Sequence, residues 1–197
     1  MNPRTATIQR ETSETRIEAT VNLDGTGQLD IDTGIAFFDH MLTALAFHSG
    51  LDLSLRCVGD LSVDDHHTVE DCALVLGKAI DQALGERKGL VRFGNAFAPL
   101  DEALARAVID FSGRPYCVAE IGLQRERLGG LSCENVPHFF QSLAVGMRAT
   151  IHIDLIRGEN DHHRCEAAFK ACALSLRAAI ALRNSVAVVP STKGVLS

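Results

Sequence analysis

Apolar and polar residues alternate from Thr15 to Asn22, with Ile17, Ala19 and Val21 set against Arg16, Glu18 and Thr20. A period of two marks a strand with one buried face. The turn-forming run Leu23-Asp24-Gly25-Thr26-Gly27 leads into a second stretch at 28–33, which predicts a hairpin between the two. Further on the period lengthens. Apolar residues at 69, 73, 76, 80 and 83/84 make one face of an amphipathic helix. Positions 167–182 repeat that pattern with Phe169, Cys172, Leu176 and Ile180. Alternation returns at 105–110 and predicts another strand, and Pro190 and Gly194 break the tail.

These elements recur in order. Asp65-His66-His67-Thr68-Val69-Glu70 returns 96 positions later as Asp161-His162-His163-Arg164-Cys165-Glu166. His40-Met41-Leu42-Thr43-Ala44-Leu45-Ala46 is matched 98 positions on by His138-Phe139-Phe140-Gln141-Ser142-Leu143-Ala144. A short alternating run follows each, Leu51-Asp52-Leu53-Ser54-Leu55 and Ile151-His152-Ile153-Asp154-Leu155. Both halves thus read as a helix led by His, a strand, a loop, and a helix opening with His-His-x-x-Glu. Hairpins alternating with isolated helices predict an α+β duplication, each sheet covered on one side by helices. The expected organisation is a single catalytic domain over residues 1–197. Its two similar halves, about 1–92 and 93–187, pack together, and a phosphate-binding tail occupies 188–197.

Composition narrows the class. Apolar residues at 46% and charged residues at 22% fit an ordinary globular chain, and the net charge of -6 with no basic run disfavours nucleic acid or an acidic membrane as partner. No apolar stretch approaches the roughly 18–20 residues that span a bilayer. Residues 1–10 lack an apolar signal core, so the expectation is a cytoplasmic protein, or a mature form whose targeting segment is missing. The six cysteines contain no Cys-x-x-Cys pair and read as reduced core thiols.

Four of the eight histidines occur as two adjacent pairs, and here the chemistry enters. Residues three and four apart on a helix share a face, so Glu70 is expected near both His66 and His67, and Glu166 near both His162 and His163. Adjacent imidazoles diverge by about 100° and are suited to two ions on opposite flanks. Imidazole and carboxylate together suit divalent zinc, manganese, iron, cobalt or nickel. With His40 and His138 added, repeat symmetry supplies three His and one Glu for each of two ions. An octahedral ion such as manganese would then keep positions open for substrate, which favours catalytic over structural metal. One His-His pair is ordinarily a surface or hydrogen-bonded feature. Its duplication with both Glu retained is what makes metal the better reading. His48 and His152 lack partners in the other half and read as packed residues or supports for a ligand.

The segments Phe37-Phe38-Asp39-His40-Met41-Leu42, Asp64-Asp65-His66-His67-Thr68-Val69-Glu70-Asp71, Asn160-Asp161-His162-His163-Arg164-Cys165-Glu166 and Pro190-Ser191-Thr192-Lys193-Gly194 resemble those of imidazoleglycerol-phosphate dehydratases, and the resemblance runs over nearly the whole chain. It implies a hydro-lyase of histidine biosynthesis that converts imidazole glycerol phosphate to imidazole acetol phosphate and water. Two manganese ions per active site and a metal-bridged imidazolate intermediate are implied with it. So are a duplicated half-domain of the ribosomal protein S5 domain 2-like type and a homo-oligomer of 24 subunits with sites formed between them. One position departs from the pattern: many relatives carry Gln four residues after the first His, where this chain has Ala44.

The reaction needs a proton mover, for which Glu14 in Arg10-Glu11-Thr12-Ser13-Glu14-Thr15 and Glu166 are the candidates. Glu14 is favoured, because Glu166 doubles as a ligand. A small-molecule phosphate substrate needs cations and oriented donors, which Ser191 and Lys193 offer beside a flexible glycine. Arg92 and Arg114 match the family's phosphate-binding arginines, and Lys170 lies one turn beyond Glu166. Asp101 is a weaker polar candidate. A dinuclear hydrolase or a non-enzymatic metal-binding shell protein would use the same ligands. The shell protein would have no need of Arg92, Arg114 and Lys193.

Overall fold

Strand β2 (Thr15–Asn22) forms where the alternation is cleanest, with Ile17, Ala19 and Val21 buried on one face. The computed structural model describes residues 3–183, 188–194 and 196; the expected boundary near 187 lies outside these. Strand β1 (Thr5–Glu11) runs antiparallel to β2, β4 (Asp52–Gly59) lies antiparallel on its other side, and β3 (Leu29–Asp32) pairs in parallel with β4. The first sheet therefore has the order β1-β2-β4-β3. Helix α1 (Ala36–Ser49) connects the parallel pair, and α2 (His66–Leu84) follows β4.

The expected hairpin between β2 and the 28–33 strand is not formed. β2 turns back on β1 instead, and β4 separates β2 from β3. The cause is Asp52 at the start of β4, whose Oδ1 accepts hydrogen bonds from the backbone N–H groups of Thr26, Gly27 and Gln28 at 2.7–2.9 Å. Those bonds draw the turn-like run across the end of β4. Gly25 permits the close approach, since a Cβ there would lie 2.3 Å from the Asp52 nitrogen.

The second half repeats the plan. β5 (Phe93–Leu100), β6 (Ala103–Asp110), β10 (Thr150–Arg157) and β7 (Tyr116–Glu120) form a sheet of order β5-β6-β10-β7, again with its last pair parallel. Helix α3 (Asn135–Met147) connects β7 to β10, and α4 (Asp161–Ala179) follows β10. One feature has no counterpart in the first half. Residues 121–134 intervene between β7 and α3 and carry a small hairpin of β8 (Arg127–Leu128) and β9 (Leu131–Ser132). The class is α+β, and the matching strand orders are consistent with duplication of a sheet-plus-helices unit.

The helices lie between the sheets, with α1 against α4 and α2 against α3. Four fully buried phenylalanines knot this layer: Phe38 meets Phe139 edge-on at 5.5 Å, and Phe169 packs on Phe139 at 5.1 Å and Phe140 at 4.7 Å. Each is close in sequence to His40, His138 or Glu166, so core packing fixes the turns that carry them. All six cysteines are free. Among the described residues no helix is long and apolar enough to cross a membrane.

Helices α2 and α3 cross at glycines: a Cβ at Gly77 would lie 2.8 Å from Gly146 Cα and from the Leu143 carbonyl oxygen. Gly77→Ala must part the helices and should cost about 1–3 kcal/mol. A denaturation midpoint equal to that of the unsubstituted protein would refute this close crossing.

Candidate metal centre and active site

Each His-His pair opens a helix. Asp64 Oδ1 accepts the His66 N–H at 2.8 Å, and the Asn160 side chain caps α4 by accepting from His162 N at 2.9 Å and His163 N at 3.4 Å. The first histidine of each pair then shares a helix face with the Glu four residues on. His66 Nε2 lies 3.8 Å from Glu70, and His162 Nε2 lies 3.2 Å from Glu166.

A third residue reaches each pair from the opposite half of the chain. His138 on α3 places Nε2 3.7 Å from Glu70 and stacks on His66 with ring centroids 4.6 Å apart. His40 on α1 places Nε2 3.1 Å from Glu166. Two clusters result, His66-Glu70-His138 and His40-His162-Glu166, in each of which the prospective ligand atoms lie within 4.8 Å of one another.

The second histidine of each pair points elsewhere. His67 Nδ1–H donates to Asp60 at 3.0 Å while its Nε2 faces Glu14 at 3.7 Å. His163 Nδ1–H donates to Glu102 at 2.7 Å while its Nε2 faces Asp101 at 3.9 Å. Glu70 and Glu166 are thus each associated with the first histidine of their pair and with a His from another helix, not with both adjacent imidazoles as expected. Within one chain each cluster holds two His and one Glu instead of three His and one Glu. The divergence of neighbouring helix positions is the reason.

The donor set fits a divalent cation. His138 Nε2 is buried and has no hydrogen-bond partner among the described residues. An orphaned buried nitrogen costs about 1–3 kcal/mol, and a cation in the cluster would satisfy it. His66 Nδ1–H donates to Asn135 Oδ1 at 3.0 Å, which leaves the Nε2 lone pair turned toward Glu70 and His138. Asp60 and Glu102 impose the same tautomer on His67 and His163.

The two clusters differ in charge. Lys170 Nζ lies 2.6 Å from Glu166 Oε1. Burial alone would push the Glu166 carboxyl up, but hydrogen bonds from Lys170, His40 and His162 hold it down at about 2. Among the described residues Glu70 has no such ammonium partner. His48 on α1 is half-buried, and burial together with Lys170 pushes its imidazole down. His152 is exposed on the outer face of β10 beside Tyr116, so within this chain it is not a packed core residue.

The phosphate candidates stand apart from these clusters. Arg92 pairs with Asp110 through Nε at 2.6 Å and Nη2 at 3.0 Å, and its Nη1 donates to the Pro190 carbonyl at 2.8 Å. The tail with Ser191 and Lys193 therefore lies beside Arg92, and exposed Arg114 follows β6 in the same region. Arg92 N also donates to Ala179 O at the end of α4. His162 and Ala179 are 17 residues apart on that helix, which is about 26 Å. Of the anion-binding candidates, only Lys170 lies at a cluster of its own chain.

Similarity to known proteins decides the family. The family model described as imidazoleglycerol-phosphate dehydratase matches residues 33–176, a stretch holding all eight cluster and pair residues. The chain belongs to that family. It is accordingly a hydro-lyase. The imidazoleglycerol-phosphate dehydratase of Salinibacter ruber is 52% identical, with 100% of this chain and 97% of that one covered. That of Saccharomyces cerevisiae is 48% identical over the full length of both. Among solved structures, the Staphylococcus aureus dehydratase superposes with a TM-score of 0.82 at 39% identity, covering 90% of this chain and 99% of its own. The Pyrococcus furiosus protein in complex with (S)-C348 gives 0.83 at 38%, covering 96% and 100%.

Sequence reasoning missed the supporting groups of this dehydratase-family site, namely Asp60, Glu102, Asn135, Asp65 and Asp161. Glu102 is 61 residues from His163, and nothing local marks it. Asp65 and Asp161 did carry a signal, since both repeats place Asp directly before His-His.

The Asp60 hydrogen bond raises the His67 pKa above its ordinary 6.5, and the Glu102 hydrogen bond does the same for His163. A raised imidazole stays protonated to higher pH, so cation binding at Nε2 should weaken as pH falls through a midpoint above 6.5. Asp60→Asn should move the His67 midpoint downward. Histidine proton NMR on chelated protein reads this directly, and an unmoved midpoint would refute the assignment.

Proposed function

We propose that this chain dehydrates imidazole glycerol phosphate to imidazole acetol phosphate in histidine biosynthesis, with two manganese ions at each active site. One observation carries the reading: twin His-His-Glu clusters, one holding an orphaned buried imidazole nitrogen, in a chain of this family. His66, Glu70 and His138 would hold one ion, and His40, His162 and Glu166 the other. Bound there, the ions supply Lewis acidity that draws electron density from an imidazole ring.

The remaining roles fall to side chains. Glu14 faces His67 Nε2, a third prospective ligand, which supports its carboxylate as the group that would take the proton from carbon. Loss of water requires that proton to leave carbon and a hydroxyl to depart with a second proton. The resulting enol then becomes the ketone. Glu166, held at about 2 and engaged by three partners, is suited to binding a cation rather than to exchanging protons near neutrality. On this reading Glu166 serves as a ligand and the proton transfer falls to Glu14. Lys170 and the Arg92, Arg114, Ser191 and Lys193 group are assigned to the substrate's polar chain and phosphate.

Separation within one chain argues for an assembly. The ~26 Å along α4 between a metal cluster and the Arg92 region far exceeds an imidazole ring joined to a three-carbon phosphate ester. His67 and His163 likewise turn away from their own clusters, as ligands for another copy's ions would. A homo-oligomer with sites shared between subunits, 24 in the full shell, accounts for both.

Purified protein with manganese should convert imidazole glycerol phosphate to the acetol phosphate, and chelation should abolish turnover. Glu14→Gln should lower kcat by roughly 10²–10⁴-fold with metal content unchanged by elemental analysis. A metal-replete protein that does not turn over, or a Glu14→Gln variant of full kcat, would overturn these assignments. Lys193→Ala and His162→Ala should each be nearly inactive, yet regain activity when co-assembled, because a shared site can draw an intact cluster from one subunit and an intact tail from another. Absence of complementation in verified mixed assemblies would place each site within one chain.

A further inference from the structure

The duplication leaves one segment unaccounted for. In the first half three residues, 33–35, join β3 to α1, whereas in the second half fourteen, 121–134, join β7 to α3. This insertion is built into the core through Leu128, Leu131 and Cys133, all buried. It reaches the N-terminal end of every helix that carries a cluster residue.

Asp65, only 3% exposed, accepts hydrogen bonds from Ser132 N and Ser132 Oγ at 2.6 Å each and from Arg127 Nη2 at 2.9 Å. It stands at the start of α2 but caps no helix N–H with its side chain. Asp161, 4% exposed at the start of α4, accepts from the backbone N–H groups of Gln124 at 2.9 Å and Arg125 at 2.7 Å. Arg164 ties the same Asp161 to the Gly122 carbonyl. At the start of α1, Phe37 Cβ lies 3.3 Å from the point a Gly129 Cβ would occupy. The Phe37 ring meets His162 edge-on at 5.2 Å and His40 at 6.2 Å. The insertion then runs directly into Asn135, the acceptor for His66 Nδ1–H.

Both repeats thus spend the buried carboxylate preceding His-His on one continuous segment, from opposite ends. We propose that the 121–134 insertion sets the placement of the two metal clusters relative to each other, with Asp65 and Asp161 as positioning residues that act through it. Neither carboxylate touches a cluster residue directly; Asp161 holds the strap, and Asp65 holds both the strap and the Asn135 side chain that follows it. The inference rests on the clusters binding metal as proposed above.

The test is manganese binding to the chelated, assembled protein, followed by the electron paramagnetic resonance of the free ion. Asp65→Asn and Asp161→Asn should each raise the Mn2+ Kd on the order of tenfold or more, as loss of groups that orient ligands does. Because both act through one segment, the double variant should be weakened by less than the product of the two single effects. Excess Mn2+ should restore turnover. Arg127→Gln guards against misfolding: its side chain is 52% exposed, and it should raise Kd in the same direction without altering assembly. If the unsubstituted protein binds no Mn2+, the metal reading fails and this inference falls with it. If it binds and all three variants keep its Kd, the metal reading stands and the positioning role is wrong. Weakened binding that appears only together with loss of native mass, measured by light scattering, would also overturn it.

Discussion

Two adjacent side chains on a helix diverge by about 100°, and the arrangement of this molecule follows from that angle. In each His-His-x-x-Glu start, the first histidine joins the glutamate four residues on. The second must face outward, where Asp60 or Glu102 holds its Nδ1–H. Within one chain each group that could hold a cation therefore has two His and one Glu. The chain offers two incomplete clusters and two outward imidazoles, and the incompleteness is itself an argument for neighbours.

What completes each cluster as far as one chain can is the packing of the opposite half. His138 comes to Glu70 because α3 crosses α2 at Gly77 and Gly146, and His40 comes to Glu166 because α1 lies on α4. The phenylalanine knot of Phe38, Phe139, Phe140 and Phe169 makes those crossings rigid. Core packing and site geometry therefore share residues only one to three positions apart, and a cavity in the knot would reach the ligands directly.

Much of this was legible in the sequence, and the illegible remainder has physical causes. The repeat could be read because both halves keep His, His and Glu at fixed helical spacing. Strand β2 could be read because Ile17, Ala19 and Val21 alternate against polar residues. Strand β1 could not, because its inward set begins with Ala6 and ends with Arg10, which pairs with Asp71. The partner of β3 was misread because a single carboxylate, Asp52, outweighs the turn chemistry of residues 23–27. Asp60 and Glu102 were invisible because contacts between distant segments leave no period. Local chemistry shows in sequence; the partners that orient it show only once the chain is folded.

Duplication alone would give two identical clusters, and these are not identical. The position four after Glu166 is Lys170, whose ammonium touches the carboxylate, whereas the position four after Glu70 is Leu74. Glu166 is 12% exposed and Glu70 37%. The buried His138 nitrogen that lacks a hydrogen-bond partner among the described residues belongs to the Glu70 cluster, and among those residues the 121–134 strap has no equivalent in the first half. An imidazole ring bearing one side chain has two inequivalent nitrogens, so a pair of unlike clusters suits it better than a symmetric pair. Divergence within the duplicated frame has thus left the two clusters unlike, with the Lys170 ammonium at the Glu166 one.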